Sequence, residues 1–133
     1  MGYKAQVYYH HTDCGGVVYY ANYLQFLEEA RTEFLAQKGI VVADYVKQGR
    51  YFVVSRQEID YRSPAFYGDM LDIGTRLLKV SAVRIELSHD IRTAAGSNVA
   101  QARTILAFID TDFKPRPIPR ELKDRMLAPL PQE

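Results

Sequence analysis

The residues with the clearest potential for chemistry lie close together near the start of the chain, between His10 and Tyr23. Asp13 carries a carboxylate, Gly15 and Gly16 follow it, and the pattern of a long helix begins shortly afterwards. A helix N-terminus presents unpaired N–H groups and a partial positive charge, so it stabilises negative charge nearby. The glycines allow a tight turn and the close approach of a ligand, because they carry no Cβ. The stretch therefore predicts a site where an acid lies beside the donors that an oxyanion needs.

An Asp-x-Gly-Gly segment before a helix is also typical of a plain turn, so the motif alone leaves two interpretations open. Two features favour chemistry. The loop joins a predicted strand to a predicted helix, and functional residues are often held on such loops by a rigid scaffold. Tyrosines also crowd both flanks of the loop, at Tyr8, Tyr9, Tyr19, Tyr20 and Tyr23. We expect these rings to desolvate Asp13 and so to strengthen the effect of its charge.

The elements that must position this loop can be read from residue periodicity. Tyr3 to His10, rich in Tyr and Val, predicts a first strand. Tyr20 to Lys38 shows apolar residues at helical spacing, and Gly39 is a natural end for that helix. Further strands are predicted at Tyr51–Arg62, Met70–Val80, Val83–Arg92 and Val99–Asp110, with a short helical possibility between residues 40 and 49 and a last helix at Arg120–Leu127. Together these elements predict an α+β fold.

Composition narrows the class of protein. A chain of 133 residues is long enough for one domain with a sizeable core, and we expect a single domain over residues 1–133. The formal net charge of +1 gives no electrostatic case for binding nucleic acid or an anionic membrane. The single cysteine, Cys14, excludes an internal disulfide and suits a reducing compartment. No apolar run reaches the ~20 residues of a membrane span, so we expect a cytoplasmic protein.

Two blocks of this sequence resemble a known family. Val7 to Leu35 reads Y-x-x-T-D-x-G-G-V-V-Y-x-A-N-Y through its centre, and Ile59 to Asp69 reads I-D-Y-R-S-P-A-x-Y-G-D. Both are similar to YbgC-like acyl-CoA thioesterases, relatives of the 4-hydroxybenzoyl-CoA thioesterases, and the Pro117–Pro119 segment before the last helix also fits. The resemblance implies the hotdog fold, in which an antiparallel sheet wraps around one long central helix. It also implies a homodimer or homotetramer with sites built between subunits.

The resemblance further implies the chemistry of the site. Asp13 would act as general base, or as nucleophile through a mixed anhydride, and the backbone N–H near Tyr20 would stabilise the oxyanion. YbgC-like members often carry His where this chain has Tyr20, whereas the hydroxybenzoyl-CoA branch often has an aromatic residue there. We expect no cofactor, since CoA is part of the substrate. The predicted catalytic residues are Asp13 and Tyr20, and the predicted substrate-binding residues are Gly15, Gly16, Val18, Tyr19, Asn22, Arg62 and Arg84.

Several alternatives compete with this interpretation. A metal could bind among His10, His11, Asp13 and Cys14, but two successive strand residues point to opposite faces. Cys14 could be a nucleophile, although no His base is evident in the sequence. The glycines lack the spacing of a phosphate-binding loop. Two other functions also stay open. The protein could be a hydratase or dehydratase that acts on acyl thioesters, or a module that binds acyl-CoA without cleaving it. Basic residues at strand ends, Arg62 and Arg84, are candidates for contacting CoA, with a solvated strand face as the alternative.

Overall fold

The computed structural model describes residues 2–130, in which five strands and three α-helices are formed. The strands are β1 (Tyr3–Gln6), β2 (Tyr51–Tyr61), β3 (Met70–Val80), β4 (Arg84–Thr93) and β5 (Asn98–Ile109). The helices are α1 (Asn22–Gln37), α2 (Val42–Lys47) and α3 (Arg120–Leu127). The predicted bounds of β3 and α3 are confirmed, and those of β2, β4, β5 and α1 differ by two residues or fewer.

All five strands form one antiparallel sheet in the order β1-β3-β4-β5-β2. Helix α1 packs on one face of this sheet, and its buried residues join those of the strands in the core. This arrangement confirms the predicted α+β, hotdog architecture. It also places the loop before α1 at one end of the sheet, where β3 begins and β4 ends, because Val17 pairs with Phe66 just before β3.

Periodicity explains why these segments form their elements. The buried positions of α1 recur every three or four residues and form one apolar face: Tyr23, Phe26, Leu27, Ala30, Phe34 and Leu35. Strand β4 alternates instead, with Ile85, Leu87, His89 and Ile91 at most 2% exposed. His89 thus lies in the core with its apolar neighbours. Gly39 adopts a φ of +76° directly after α1, a conformation that glycine accepts without strain, so the helix ends there as predicted.

The first strand is shorter than predicted. Strand β1 ends at Gln6, and residues Tyr9–His11 form a 3₁₀ turn instead of continuing the strand. The Tyr8 N–H donates to Nδ1 of His11 at 2.8 Å, and the Thr12 N–H donates to the Tyr9 carbonyl at 3.0 Å. These local bonds offer the backbone an alternative to the sheet, and strand propensity alone does not reveal them.

Strand β2 lies at one edge of the sheet and pairs only with β5 among the described strands. It is 11 residues long, with a register shift between Val54 and Arg56. The backbone N–H and C=O groups along its outer side therefore have no partner strand within the described residues. Long edge strands are usually paired or covered, so this edge is a candidate for pairing with another chain. None of the helices in residues 2–130 combines the length and apolar character needed to cross a bilayer.

Candidate active site

The Asp13 loop is a compact turn held by its own backbone. The Asp13 N–H donates to the Val17 carbonyl at 3.0 Å, and the Gly16 N–H returns to the Asp13 carbonyl at 3.1 Å. The Gly15 N–H donates to Oδ1 of Asp13 at 2.8 Å, which fixes the carboxylate on its loop. Gly16 has a φ of +80°, the left-handed region that a side chain would disfavour. The two glycines therefore build the turn that presents the acid.

Three hydrogen bonds attach this loop to the rest of the chain. The Val18 N–H donates to the Ala65 carbonyl at 2.9 Å, and the Tyr19 N–H donates to the His11 carbonyl at 3.0 Å. The side-chain amide of Asn22 donates to the same His11 carbonyl at 2.7 Å. That Asn22 binds substrate stays a prediction, and its amide makes this bond within the protein. In this structure it holds the loop against the start of α1.

The start of α1 offers free hydrogen-bond donors. The N-cap residue of this helix is Ala21, and no side chain among residues 2–130 caps it. The Asn22 N–H is bonded to the Tyr19 carbonyl, whereas the N–H groups of Tyr20 and Ala21 have no acceptor within residues 2–130. Two open donors at a helix start favour an anion or a developing oxyanion. The oxyanion donor that was predicted near Tyr20 thus corresponds to a pair of available N–H groups, those of Tyr20 and Ala21.

The flanking tyrosines do not bury Asp13 within one chain, and that expectation was wrong. Asp13 is exposed, and Tyr9 and Tyr20 are themselves 78% and 61% exposed. The reason is the 3₁₀ turn, which ends the strand early and leaves the loop at the rim of the sheet. Only Tyr23, 3% exposed, turns into the core. Any desolvation of Asp13 must therefore come from substrate or from another chain.

His10 and His11 do not point to opposite faces as predicted, because they lie in the turn and not in a strand. Their ring centroids are 4.1 Å apart. His11 is buried, and burial, reinforced by the nearby His10, lowers its pKa below the usual value. The described part of the chain contains no group of three or more His, Cys, Asp or Glu side chains arranged to hold a metal. Cys14 is a free, exposed thiol beside Asp13.

A cavity of about 330 Å³ opens beside the start of α1. Its lining consists of Val17, Val18, Tyr20, Tyr23, Tyr61, Arg62, Ser63 and Pro64. The predicted residues Val18, Tyr20 and Arg62 thus share one surface, which lies next to the Asp13 loop. Arg62 reaches along the sheet, where its Nη2 donates to Oε1 of Gln101 at 3.2 Å. The lining is mainly apolar and aromatic, which suits an acyl group.

Tyr61 is a site residue that sequence reasoning missed. It was treated as part of a strand and of a matching motif, yet its ring lines the cavity and its hydroxyl donates to the Tyr20 carbonyl at 3.1 Å. Its position could have indicated this role. Tyr61 lies two residues before Ser63-Pro64, at the end of the predicted strand, and a residue there can face a neighbouring loop.

Arg84 lies far from the Asp13 loop within one chain. It begins β4, and the other end of that strand, Thr93, lines a cleft with Phe66, the partner of Val17. The ten residues of β4 span roughly 30 Å. Arg84 instead lines a separate cavity of about 150 Å³ with Lys79 and Glu86. One chain therefore does not bring Arg84 to Asp13, and its contact with CoA stays a prediction.

The fold and this site define a class of protein. Residues 7–126 match the family model described as the thioesterase-like superfamily, which covers most of the chain. The chain therefore belongs to the thioesterase-like superfamily, and it is an enzyme of the thioester hydrolase class.

Individual relatives agree with this class. The chain is 32% identical over 118 residues to an acyl-CoA thioester hydrolase, YbgC, of Escherichia coli O6:H1, a match that covers 88% of each protein. It is 30% identical over 122 residues to a 1,4-dihydroxy-2-naphthoyl-CoA hydrolase of Thermosynechococcus vestitus, covering 90% of this chain and 84% of the relative. The crystal structure of Slr0204, a 1,4-dihydroxy-2-naphthoyl-CoA thioesterase from Synechocystis, superposes with a TM-score of 0.86 at 28% identity and covers 93% of each chain.

Proposed function

We propose that the protein hydrolyses the thioester of an acyl-CoA to the free acid and CoA, with Asp13 as the catalytic carboxylate. One observation carries this proposal: the turn that fixes the Asp13 carboxylate is bonded to the helix start that carries the open Tyr20 and Ala21 N–H groups. Relatives that act on acyl-CoA thioesters support the substrate class. Cleaving a thioester needs an activated water or a carboxylate nucleophile, together with donors for the oxyanion.

In the proposed reaction the thioester carbonyl oxygen binds to the N–H groups at the start of α1. Asp13 then either removes a proton from an attacking water or attacks the carbonyl carbon itself. In the first course the C–S bond breaks as the tetrahedral intermediate collapses, and the CoA thiolate leaves. In the second the C–S bond breaks as the tetrahedral adduct with Asp13 collapses, so the CoA thiolate leaves and a mixed anhydride forms. Water then hydrolyses this anhydride to the free acid and restores the Asp13 carboxylate. The negative charge on the oxygen is stabilised by the same donors in both courses, and the loss of one such donor typically costs about 3–4 kcal/mol.

We further propose that the working unit is a homodimer or a larger homo-oligomer, with a second chain covering Asp13. Three observations support this assembly. Asp13 is exposed in one chain, and large aromatic residues around it, including Tyr9, Tyr20 and Tyr67, are more than half exposed. The edge of β2 is also open among the described strands. A second chain that removed these surfaces from water would exclude solvent from the carboxylate and strengthen its interactions.

The test is hydrolysis of a panel of acyl-CoA thioesters, with short aliphatic, long aliphatic and aromatic acyl groups, followed by detection of the released thiol. Asp13→Asn is the decisive variant, because asparagine keeps the shape but is neither basic nor nucleophilic. We expect it to fold and to lose nearly all activity. The matched control is Asp124→Asn, which removes an exposed carboxylate on α3.

The outcomes separate the competing functions. An Asp13→Asn protein that kept more than about a tenth of wild-type kcat would show that Asp13 is not the catalytic group. Tight binding of acyl-CoA by the wild type without release of thiol would favour the binding module. Addition of water to an enoyl-CoA would favour the hydratase.

A further inference from the structure

Tyr61 connects the cavity to the start of α1 through its hydroxyl. It is the last residue of β2, and its phenol donates to the main-chain carbonyl of Tyr20 at 3.1 Å. That carbonyl otherwise accepts only the long 3.4 Å bond from the Tyr23 N–H among the described residues. The bond from the phenol is therefore the shorter of the two that the Tyr20 carbonyl accepts.

Restraining this carbonyl also restrains a hydrogen-bond donor. The peptide group is planar and trans, so the carbonyl of Tyr20 and the N–H of Ala21 point in opposite directions within one rigid unit. A hydrogen bond that fixes the direction of the Tyr20 carbonyl therefore also fixes the opposite direction of the Ala21 N–H. This N–H is one of the two open donors at the helix start. The hydroxyl of Tyr61 thus influences an oxyanion donor without touching the substrate.

The ring of Tyr61 faces the cavity at the same time. Its centroid lies 6.4 Å from that of Tyr20 in an edge-to-face arrangement and 5.5 Å from that of Tyr23. All three rings line the 330 Å³ cavity beside the helix start. Tyr61 is half exposed, and Tyr23 is buried in the core. An acyl group entering the cavity would contact the same ring whose hydroxyl holds the donor peptide.

We propose that Tyr61 is a positioning residue that couples the fit of the acyl group to the placement of the oxyanion donors. The inference rests on the proposed thioesterase function. Acyl groups that leave the Tyr61 ring in place keep the Ala21 N–H aimed, whereas those that displace it weaken the donor. Selectivity among acyl groups is then expressed in kcat more than in KM, because the donor acts on the transition state.

The phenol is suited to this role across the working pH range. Partial burial, together with the neighbouring Tyr20, raises the pKa of Tyr61 above its usual value. The hydroxyl therefore keeps its proton and remains a donor at neutral and mildly alkaline pH.

The first experiment reads the donor directly and does not depend on activity. Amide resonances and amide hydrogen exchange of the full chain are compared between wild type, Tyr61→Phe and Tyr67→Phe. Tyr67 is the matched control, because it is an exposed tyrosine whose hydroxyl makes no hydrogen bond among the described residues. We expect Tyr61→Phe to shift the Ala21 and Tyr23 amide resonances and to speed exchange at Tyr23, and Tyr67→Phe to leave both unchanged.

The second experiment measures kcat and KM on the best acyl-CoA of the panel. We expect Tyr61→Phe to lower kcat about tenfold with KM changed by less than about twofold, equivalent to about 1.4 kcal/mol in the transition state. Tyr61→Leu, which removes most of the ring, should also change the ratio of kcat between aromatic and aliphatic acyl groups. Unchanged Ala21 and Tyr23 amides in Tyr61→Phe would overturn the proposal, whether or not the wild type is active. Shifted amides with an unchanged kcat in an active enzyme would overturn it too. If the wild type cleaved no thioester, the thioesterase proposal and this coupling would both fail. Shifted amides would then show only that the Tyr61 hydroxyl holds the Tyr20–Ala21 peptide.

Discussion

The side-chain amide of Asn22 donates to the main-chain carbonyl of His11 at 2.7 Å, and this bond joins the first residue of α1 to the turn before Asp13. The same carbonyl accepts the Tyr19 N–H at 3.0 Å. One acceptor thus receives donors from both sides of Tyr20 and Ala21, which carry the open N–H groups. The relative placement of the acid and of the oxyanion donors depends on this contact.

Asn22→Ala should therefore affect the placement of Asp13 relative to the α1 N–H groups more than it affects the free energy of unfolding. The partly buried bond is worth about 1 kcal/mol of unfolding free energy. We expect kcat to fall by roughly tenfold, because small displacements of reacting groups are costly. Urea unfolding and steady-state kinetics measure the two effects. Gln25→Ala, on the exposed face of the same helix, is the control. Equal kcat values for Asn22→Ala and wild type would show that the bond does not position the site.

Cys14→Ser should be close to silent. The thiol is exposed and free, and serine preserves its size. If Cys14 were the nucleophile, its replacement would reduce kcat as much as Asp13→Asn does. Side-by-side kinetics of the two variants decide between these interpretations, and a comparable loss in both would support the thiol.

Tyr20→Phe should leave kcat within about twofold, if the role of this residue lies in its N–H group. The Tyr20 side chain is 61% exposed, and phenylalanine keeps the ring beside Tyr61. If the phenol instead donates to the thioester oxygen, its removal would cost about 1–3 kcal/mol. The measurement is kcat and KM on the best substrate. A drop in kcat beyond roughly tenfold with little change in KM would assign the phenol to the transition state.

His89 should make the fold sensitive to acid. Burial in the core, reinforced by the nearby Arg31, lowers the pKa of His89 to about 4 from 6.5, while Asp90 opposes the shift. Nδ1 lies 2.9 Å from Oγ1 of Thr75, and Nε2 has no hydrogen-bond partner within the described residues. Between pH 6.5 and about 4 the unfolded chain binds a proton that the folded chain does not. The contribution of neutral His89 to the free energy of unfolding is therefore fully present above pH 6.5. It is lost as the pH falls from 6.5 to about 4, which lowers the free energy of unfolding by about 3 kcal/mol.

Unfolding free energy measured from pH 7 to pH 4 checks this expectation. His89→Gln should be less stable at pH 7, because its amide fits the site poorly, yet it should show a smaller loss of stability toward pH 4. A variant with the same pH slope as wild type would assign the acid sensitivity to other groups.

The active form should be at least a dimer. The open edge of β2 and the exposed aromatic residues around Asp13 motivate this expectation. Sedimentation across a dilution series, paired with specific activity at each concentration, provides the measurement. Activity should fall as the oligomer dissociates, because dissociation would uncover the Asp13 carboxylate that the proposed second chain shields from water. A fully active monomer at assay concentration would contradict the prediction.

Residue spacing along the chain predicted most of the helices and strands, and the motif around Asp13 predicted where the acid lies. The face of α1 and the alternation of β4 follow from spacings of three to four and of two residues, which are local properties of each element. The turn chemistry of Gly16 and the end of α1 at Gly39 are equally local, because a positive φ favours glycine wherever it occurs. Asp13 could be singled out for the same reason, since its neighbours in the chain are also its neighbours in the loop.

Other features of the site depend on contacts between segments that are distant in the chain, and no local pattern predicts such contacts. The placement of Arg84, for example, was set by which end of β4 meets the Asp13 loop. The contact of Tyr61 with Tyr20 joins residues 41 positions apart, and no periodicity encodes it. Asp13 is exposed for a similar reason: burial depends on what the fold packs against a residue, and aromatic neighbours along the chain do not ensure it.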